Sequence, residues 1–180
     1  CFTCSSTLKA VDRISLSLTQ HGIAVLRFDF TGLGKSEGTF ADTNFSSNIE
    51  DLLVAYNFLD QQYEAPQILI GHSLGGAAVL YSAEKMDKVK AVVTIGAPSN
   101  PNHVQHLVQS KQSEIESSGA AEVSIGGRPF LIKKQFLDDL KSAKSEEALK
   151  RIDKALLVMH SPQDQIVEIS NEELTAKQFI

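Results

Sequence analysis

Much of what would mark a specialised protein is scarce or missing in this sequence. It has two cysteines, Cys1 and Cys4, too few for a disulfide framework. Their Cys-x-x-Cys spacing fits a redox pair, but two small residues in a tight loop is the favoured reading. There is no basic excess. Seventeen Lys+Arg against 22 Asp+Glu leave a net charge of −5, which argues against nucleic acid or an anionic membrane surface as partner. No apolar run approaches the roughly 20 residues of a membrane span. No signal peptide is visible, and a cytoplasmic location is expected. Two ligand motifs also fall short. Gly34-Lys35-Ser36 follows an apolar run as in a phosphate-binding loop, but the position five residues before Gly34 holds Asp29, not glycine. Gly32 and Gly34 would need a third glycine for a dinucleotide fingerprint, and Glu37 stands there. A structural glycine loop is the better reading. His103 and His106 lie about one helical turn apart, yet no third metal ligand stands out. Neither cofactor nor metal is expected.

What remains is an ordinary globular composition. The 180 residues are 42% hydrophobic and 22% charged, enough for one domain with a sizeable core. Inside it, Ile68-Leu69-Ile70-Gly71-His72-Ser73-Leu74-Gly75-Gly76-Ala77-Ala78 reads as strand, sharp turn and helix, with Gly-x-Ser-x-Gly at the turn. At average Gly and Ser frequencies that pattern arises by chance about 0.06 times in a chain this long. A serine that must lift its hydroxyl out of a sheet needs a strained turn. Gly71 and Gly75 remove side chains that would clash there, and Gly76 lets the helix pack close. The alternative is a passive serine in a glycine-rich turn.

The rest of the chain alternates helices with apolar runs. Leu8, Val11, Ile14, Leu16 and Leu18 give residues 7–20 a mostly helical pattern, ended by His21-Gly22. Residues 23–28 read as a buried parallel strand. Residues 44–63 read as an amphipathic helix with Ile49, Leu52, Leu53, Tyr56, Phe58 and Leu59 largely inward. Asn44-Phe45-Ser46 fits a glycosylation pattern of little weight. Strands follow at 67–70 and 89–95, with a helix at 75–85 between them. This order argues for a parallel α/β sheet. The rhythm breaks over residues 99–153, an insertion far longer than an ordinary connection. It contains one or two short helices, a hairpin around Gly126-Gly127 and two further helices (133–144 and 145–152). Its position suggests a cap over Ser73. Ile125, Phe130, Phe136 and Leu137 beside Arg128, Lys133 and Lys134 make that cap mixed in polarity. Residues 155–159 are the last strand, and another helix begins at 169. Asp164 lies just past the last strand, after the serine, where a triad carboxylate belongs in the order Ser…Asp…His. A plain turn residue is the alternative.

Ser73 in its elbow, Asp164 in Ser161-Pro162-Gln163-Asp164 and the insertion together resemble the α/β-hydrolase superfamily over the whole chain. More narrowly, Phe2-Thr3-Cys4-Ser5, Leu26-Arg27-Phe28-Asp29-Phe30-Thr31-Gly32-Leu33-Gly34 and Ile125-Gly126-Gly127-Arg128-Pro129-Phe130 resemble the hydrolase portion of bacterial proteins fused to an OsmC-like domain. That portion is similar to serine-aminopeptidase-like and esterase-like hydrolases. The resemblance implies an α/β-hydrolase fold, a mostly parallel sheet flanked by helices, with residues 99–153 as an inserted cap in a single domain over 1–180. It implies an oxyanion hole from the backbone N–H groups of Leu74 and Phe2, and a small-molecule acyl substrate. The expected activity is serine hydrolysis of an ester, thioester or amide. The alternatives are a non-catalytic binding module, or support for a C-terminal OsmC-like domain that carries peroxide chemistry.

The sequence departs from the family in two respects. Its five histidines are His21, His72, His103, His106 and His160. None follows Asp164, and the family's base does. The family's strand between residues 23–28 and 67–70 is also missing. The expectation is therefore of a domain incomplete at both ends, nearly inactive alone, whose histidine lies beyond residue 180.

Overall fold

The computed structural model describes residues 2–143 and 149–170. Three strands, β1 (Ile68–His72), β2 (Ala91–Ile95) and β5 (Ala155–Met159), form a parallel sheet in the order β1-β2-β5. The register sets Ile70 beside Val93 and Val93 beside Leu157. The apolar runs end level at His72, Ile95 and Met159, so one sheet edge collects the C-terminal ends of all three strands. Ligands bind at that edge in open α/β sheets.

Between β1 and β2 runs α3 (Leu74–Ala83), apolar all round and with nine of its ten residues buried. A helix without a polar face belongs in the interior. It packs on the sheet face formed by Leu69, Val92 and Thr94, and α2 (Phe45–Gln62) packs against its other side. Asn44 starts α2 as a capping box. Its side chain accepts from the Ser47 amide at 2.8 Å, and the Ser47 hydroxyl accepts from the Asn44 amide at 2.9 Å. The Asn44 amide group also donates to Gln135 Oε1 at 2.6 Å, so this side chain serves the fold and does not stand free as a glycosylation acceptor. Tyr56 is inward as expected, but Phe58 is 49% exposed and rests against Tyr63. That is the face of α2 turned away from α3.

Between β2 and β5 lie a 3-10 helix (Pro101–Lys111), α4 (Gln112–Ser118), the antiparallel hairpin β3 (Ala120–Ile125) and β4 (Arg128–Lys133), and α5 (Lys134–Ser142). Gly126 and Gly127 both have positive φ, as a tight two-residue hairpin turn requires. The helix expected at 145–152 and the one beginning at 169 lie largely outside the described residues.

The N-terminal third departs most from expectation. Helix α1 (Lys9–Gln20) is present but has no buried residue. Residues 23–28 form no strand, and Ile23, Leu26 and Phe28 are 43%, 46% and 38% exposed. A strand exists only as a partner in a ladder, and no described residue pairs with this segment. Beyond it the chain is well ordered by Asp29, whose buried carboxylate accepts the amides of Ser6 and Lys35. Gly34 has φ 53°, and a Cβ there would sit 2.1 Å from Asp29 Oδ2. The glycine loop is thus built around an internal carboxylate, which leaves no room for a phosphate. Cys4 is disulfide-bonded. No described helix is long and apolar enough to cross a membrane.

Candidate active site

Strand β1 ends at His72, and the chain turns at once into α3. Ser73 occupies that turn with φ 54° and ψ −129°, the one positive-φ residue other than glycine among the described residues. Such a backbone costs about 1–3 kcal/mol and persists only where its surroundings enforce it. They do so here by hydrogen bonds and by lack of space. The Ser73 amide donates to Ile95 O at 2.9 Å, and the Ser73 carbonyl accepts from the Gly76 amide at 2.8 Å. A Cβ on Gly71 would stand 2.3 Å from the Gly75 carbonyl oxygen. A Cβ on Gly76 would stand 2.4 Å from Ala97 Cβ. The turn is therefore closed to any residue but glycine at 71, and the helix seats against the loop after β2 through Gly76. Leu74 opens α3, so its amide is one of the first-turn donors that has no carbonyl within the helix.

Asp164 stands at the far side of the same sheet edge. The turn after β5 is closed by the Asp164 amide donating to Ser161 O at 3.1 Å. Its Oδ1 accepts the amides of Ile166 and Val167 at 2.9 and 3.0 Å. Those two backbone bonds, Val167 first, hold its carboxyl below the usual carboxylate range. Its Oδ2 faces Gly96, 3.2 Å from where a Cβ would be. Gly96 follows Ile95, whose carbonyl holds Ser73, and the Gly96 amide donates to Met159 O at 2.8 Å. Serine and acid thus flank the end of the middle strand, about two strand spacings or roughly 10 Å apart. That separation leaves room for one further side chain between them.

None of the described histidine contacts reaches the serine. His21 Nδ1 meets Ser17 O at 2.8 Å, and His106 Nδ1 meets His103 O. His103 Nε2 meets Ile166 O at 2.6 Å, which ties the insertion to the acid's turn. His160, whose side chain is fully buried, donates from Nε2 to Val167 O at 2.7 Å and lies 3.9 Å from Asp164 Oδ2. Its Nδ1 has no hydrogen-bond partner among the described residues. His160 therefore props the turn that carries Asp164, a role that no motif signals. His72 ends the exposed face of β1. Loss of water around its ring lowers its pKa, and the Asp164 charge opposes that shift.

Phe2, the second expected oxyanion donor, has a buried ring stacked on Phe136 at 4.9 Å and tilted against Phe40 at 5.7 Å. Phe40 in turn meets Phe130 edge-on at 5.0 Å. The insertion's apolar residues are largely engaged in this way. Ile125, Phe136 and Leu137 are buried in the core, and Lys133 and Lys134 pair with Asp42 and Asp138. The described residues contain no group of three or more His, Cys, Asp or Glu able to hold a metal.

Residues 5–117 match the family described as serine aminopeptidase, S33. Mouse palmitoyl-protein thioesterase ABHD10, mitochondrial, is 36% identical over 113 residues, which is 61% of this chain and 36% of that protein. The chain's match thus spans about a third of the length of these curated relatives. Among solved structures, the esterase domain of a Rhodothermus marinus protein is 51% identical, covers 99% of this chain and 69% of its own, and superposes with a TM-score of 0.74. Est1E from Butyrivibrio proteoclasticus, solved with ferulic acid bound, is 22% identical and shares the fold at a TM-score of 0.78, over 98% of this chain and 72% of its own. A family match over most of the chain, and a half-identical esterase domain along nearly all of it, agree with the strained serine at the sheet edge: the chain belongs to the S33 serine aminopeptidase family of α/β hydrolases.

Proposed function

We propose that this chain supplies the nucleophile, the acid and the oxyanion donors of a serine hydrolase for carboxylic esters and thioesters. The observation that carries the reading is Ser73, held at φ 54° at the start of a buried helix, with Asp164 across Gly96. A strained turn around a passive serine would have no such partner. The similarity to an esterase domain and to a palmitoyl-protein thioesterase favours acyl–oxygen and acyl–sulfur bonds over amides.

In the proposed sequence, a histidine base takes the Ser73 Oγ proton as Oγ bonds to the substrate carbonyl carbon. The carbonyl electron pair moves onto oxygen, where the N–H groups of Leu74 and Phe2 stabilise it. The C–O or C–S bond then breaks, and the leaving alcohol or thiol takes the proton from histidine. Water repeats the steps, releasing the carboxylic acid and free Ser73. Asp164 fixes the histidine tautomer throughout. Its own ionisation is assured, because the Val167 and Ile166 amides already stabilise the carboxylate. No histidine follows Asp164 within residues 1–180, and the proposal places the base C-terminal to them. An OsmC-like domain C-terminal to the hydrolase belongs to the same proposal, and the intact mass of the native protein tests both. The decisive experiment is Ser73→Ala in the native-length protein. Loss of p-nitrophenyl ester hydrolysis is expected, and undiminished turnover rejects the proposal in favour of a non-catalytic module.

A further inference from the structure

The loop at residues 2–6 is held from both sides. At its far end the Ser6 amide is taken by Asp29. At its near end the contact comes from a residue distant in sequence. Arg128, at the start of β4 beside the hairpin turn, donates from Nη2 to the Thr3 carbonyl oxygen at 2.6 Å. Its guanidinium also lies over the Phe130 ring, 5.3 Å from the centroid. Phe130 continues the aromatic chain through Phe40 to Phe2. The insertion thus reaches the N-terminal loop by two routes, one polar through Arg128 and one apolar through Phe130 and Phe40, and both end on the residue pair Phe2-Thr3.

From this geometry we infer that Arg128 is a positioning residue for the oxyanion hole, coupling the β3–β4 hairpin to the backbone of Phe2-Thr3. The inference rests on the reading of Phe2 as a donor. A backbone N–H stabilises a developing oxyanion only if it is held in place before the reaction. Thr3 is buried, and its carbonyl must find a donor or carry a desolvation penalty. Without Arg128 that carbonyl can turn toward water, which loosens the loop that carries the Phe2 N–H two peptide units upstream. Arg128 is an exposed residue, and once the Thr3 carbonyl has turned to water the lost part-buried bond costs the fold little. The effect should therefore fall on the transition state and not on stability. The fused guanidinium plane matters as well, since it serves the carbonyl and the Phe130 ring together, which a lysine ammonium cannot copy in full.

The test compares wild type, Arg128→Ala, Arg128→Lys and Ser73→Ala in the native-length protein, with p-nitrophenyl butyrate as probe. Removing a whole oxyanion donor costs 100-fold or more, so loosening one should lower kcat of Arg128→Ala by about tenfold. KM and the thermal midpoint should stay near wild type. Arg128→Lys should recover part of the loss, and millimolar guanidinium should restore part of the kcat of Arg128→Ala. A wild-type kcat in Arg128→Ala overturns the inference. So does a loss that appears in KM, or in the thermal midpoint, and is not rescued. Ser73→Ala separates the two levels: if it still turns over, the hydrolase reading itself fails, whereas a dead Ser73→Ala beside a fully active Arg128→Ala removes only the role of Arg128.

Discussion

Helices α1 and α3 are of similar length and opposite fate. The twelve residues of α1 carry the cleaner amphipathic pattern, and none is buried. The ten residues of α3 have no polar face, and nine are buried. The difference lies in their neighbours. Helix α3 has the sheet on one side and α2 on the other. Helix α1 is tied to the chain after it by an exposed ion pair, Arg27 to Asp12 at 2.7 Å, and by the Ile23 amide on Leu18 O at 3.1 Å. The sheet has the same asymmetry: Leu69 and Val92 are covered, while Ile68, Ile70, Leu157 and Met159 on the opposite face are 42–55% exposed. A hydrophobic pattern states what a segment can bury, and the partner decides whether it does.

Four substitutions sharpen this contrast, in falling order of effect. Ser73→Ala, at the mouth of the buried helix, should cut ester turnover by at least about 1,000-fold while leaving the fold intact. Assays on purified protein with a matched circular dichroism spectrum check it; a drop of less than tenfold would detach the elbow from the chemistry. Leu80→Ala in α3 should destabilise by about 2–5 kcal/mol, since Leu80 is 1% exposed and leaves a cavity. Urea unfolding measures this, and a change below about 1 kcal/mol would mean α3 is not the core helix described.

Acid dependence comes next. Burial alone would raise the Asp29 pKa, but the amides of Ser6 and Lys35 outweigh it and hold it below the ordinary 3.8. The charged form is therefore favoured in the folded state. Its contribution is fully present above pH 3.8 and is lost as pH falls through the lowered folded value. Asp29→Asn should accordingly be less stable than wild type at neutral pH, with the gap narrowing below pH 3.8. A gap independent of pH would show that the loop does not depend on the charge. The smallest effect belongs to α1. Leu16 is 57% exposed, and Leu16→Ala should change stability by no more than about 0.5 kcal/mol. A loss comparable to that of Leu80→Ala would instead reveal a partner covering α1 in solution.

The residue order alone carried a good deal of this. Gly71-x-Ser73-x-Gly75 between an apolar run and a run of small residues was legible because the elbow's sterics admit few residue types. The strands expected at 67–70, 89–95 and 155–159 were legible as unbroken apolar runs, and the structure places them at 68–72, 91–95 and 155–159, covered on one face only. The hairpin around Gly126-Gly127 was legible because positive φ at two consecutive residues favours glycine. Three things were decided only in three dimensions. The apolar run at 23–28 had the composition of a strand, but ladder hydrogen bonds belong to a pair and no described segment supplies the second member. Phe136 and Leu137, read from the sequence only as apolar members of the insertion, are core, because their neighbours in space come from residues far away in the chain. Arg128 on Thr3, His103 on Ile166 and His160 on Val167 join positions 125, 63 and 7 residues apart. No periodicity encodes such contacts, since side-chain donors find backbone carbonyls only after the chain has closed on itself.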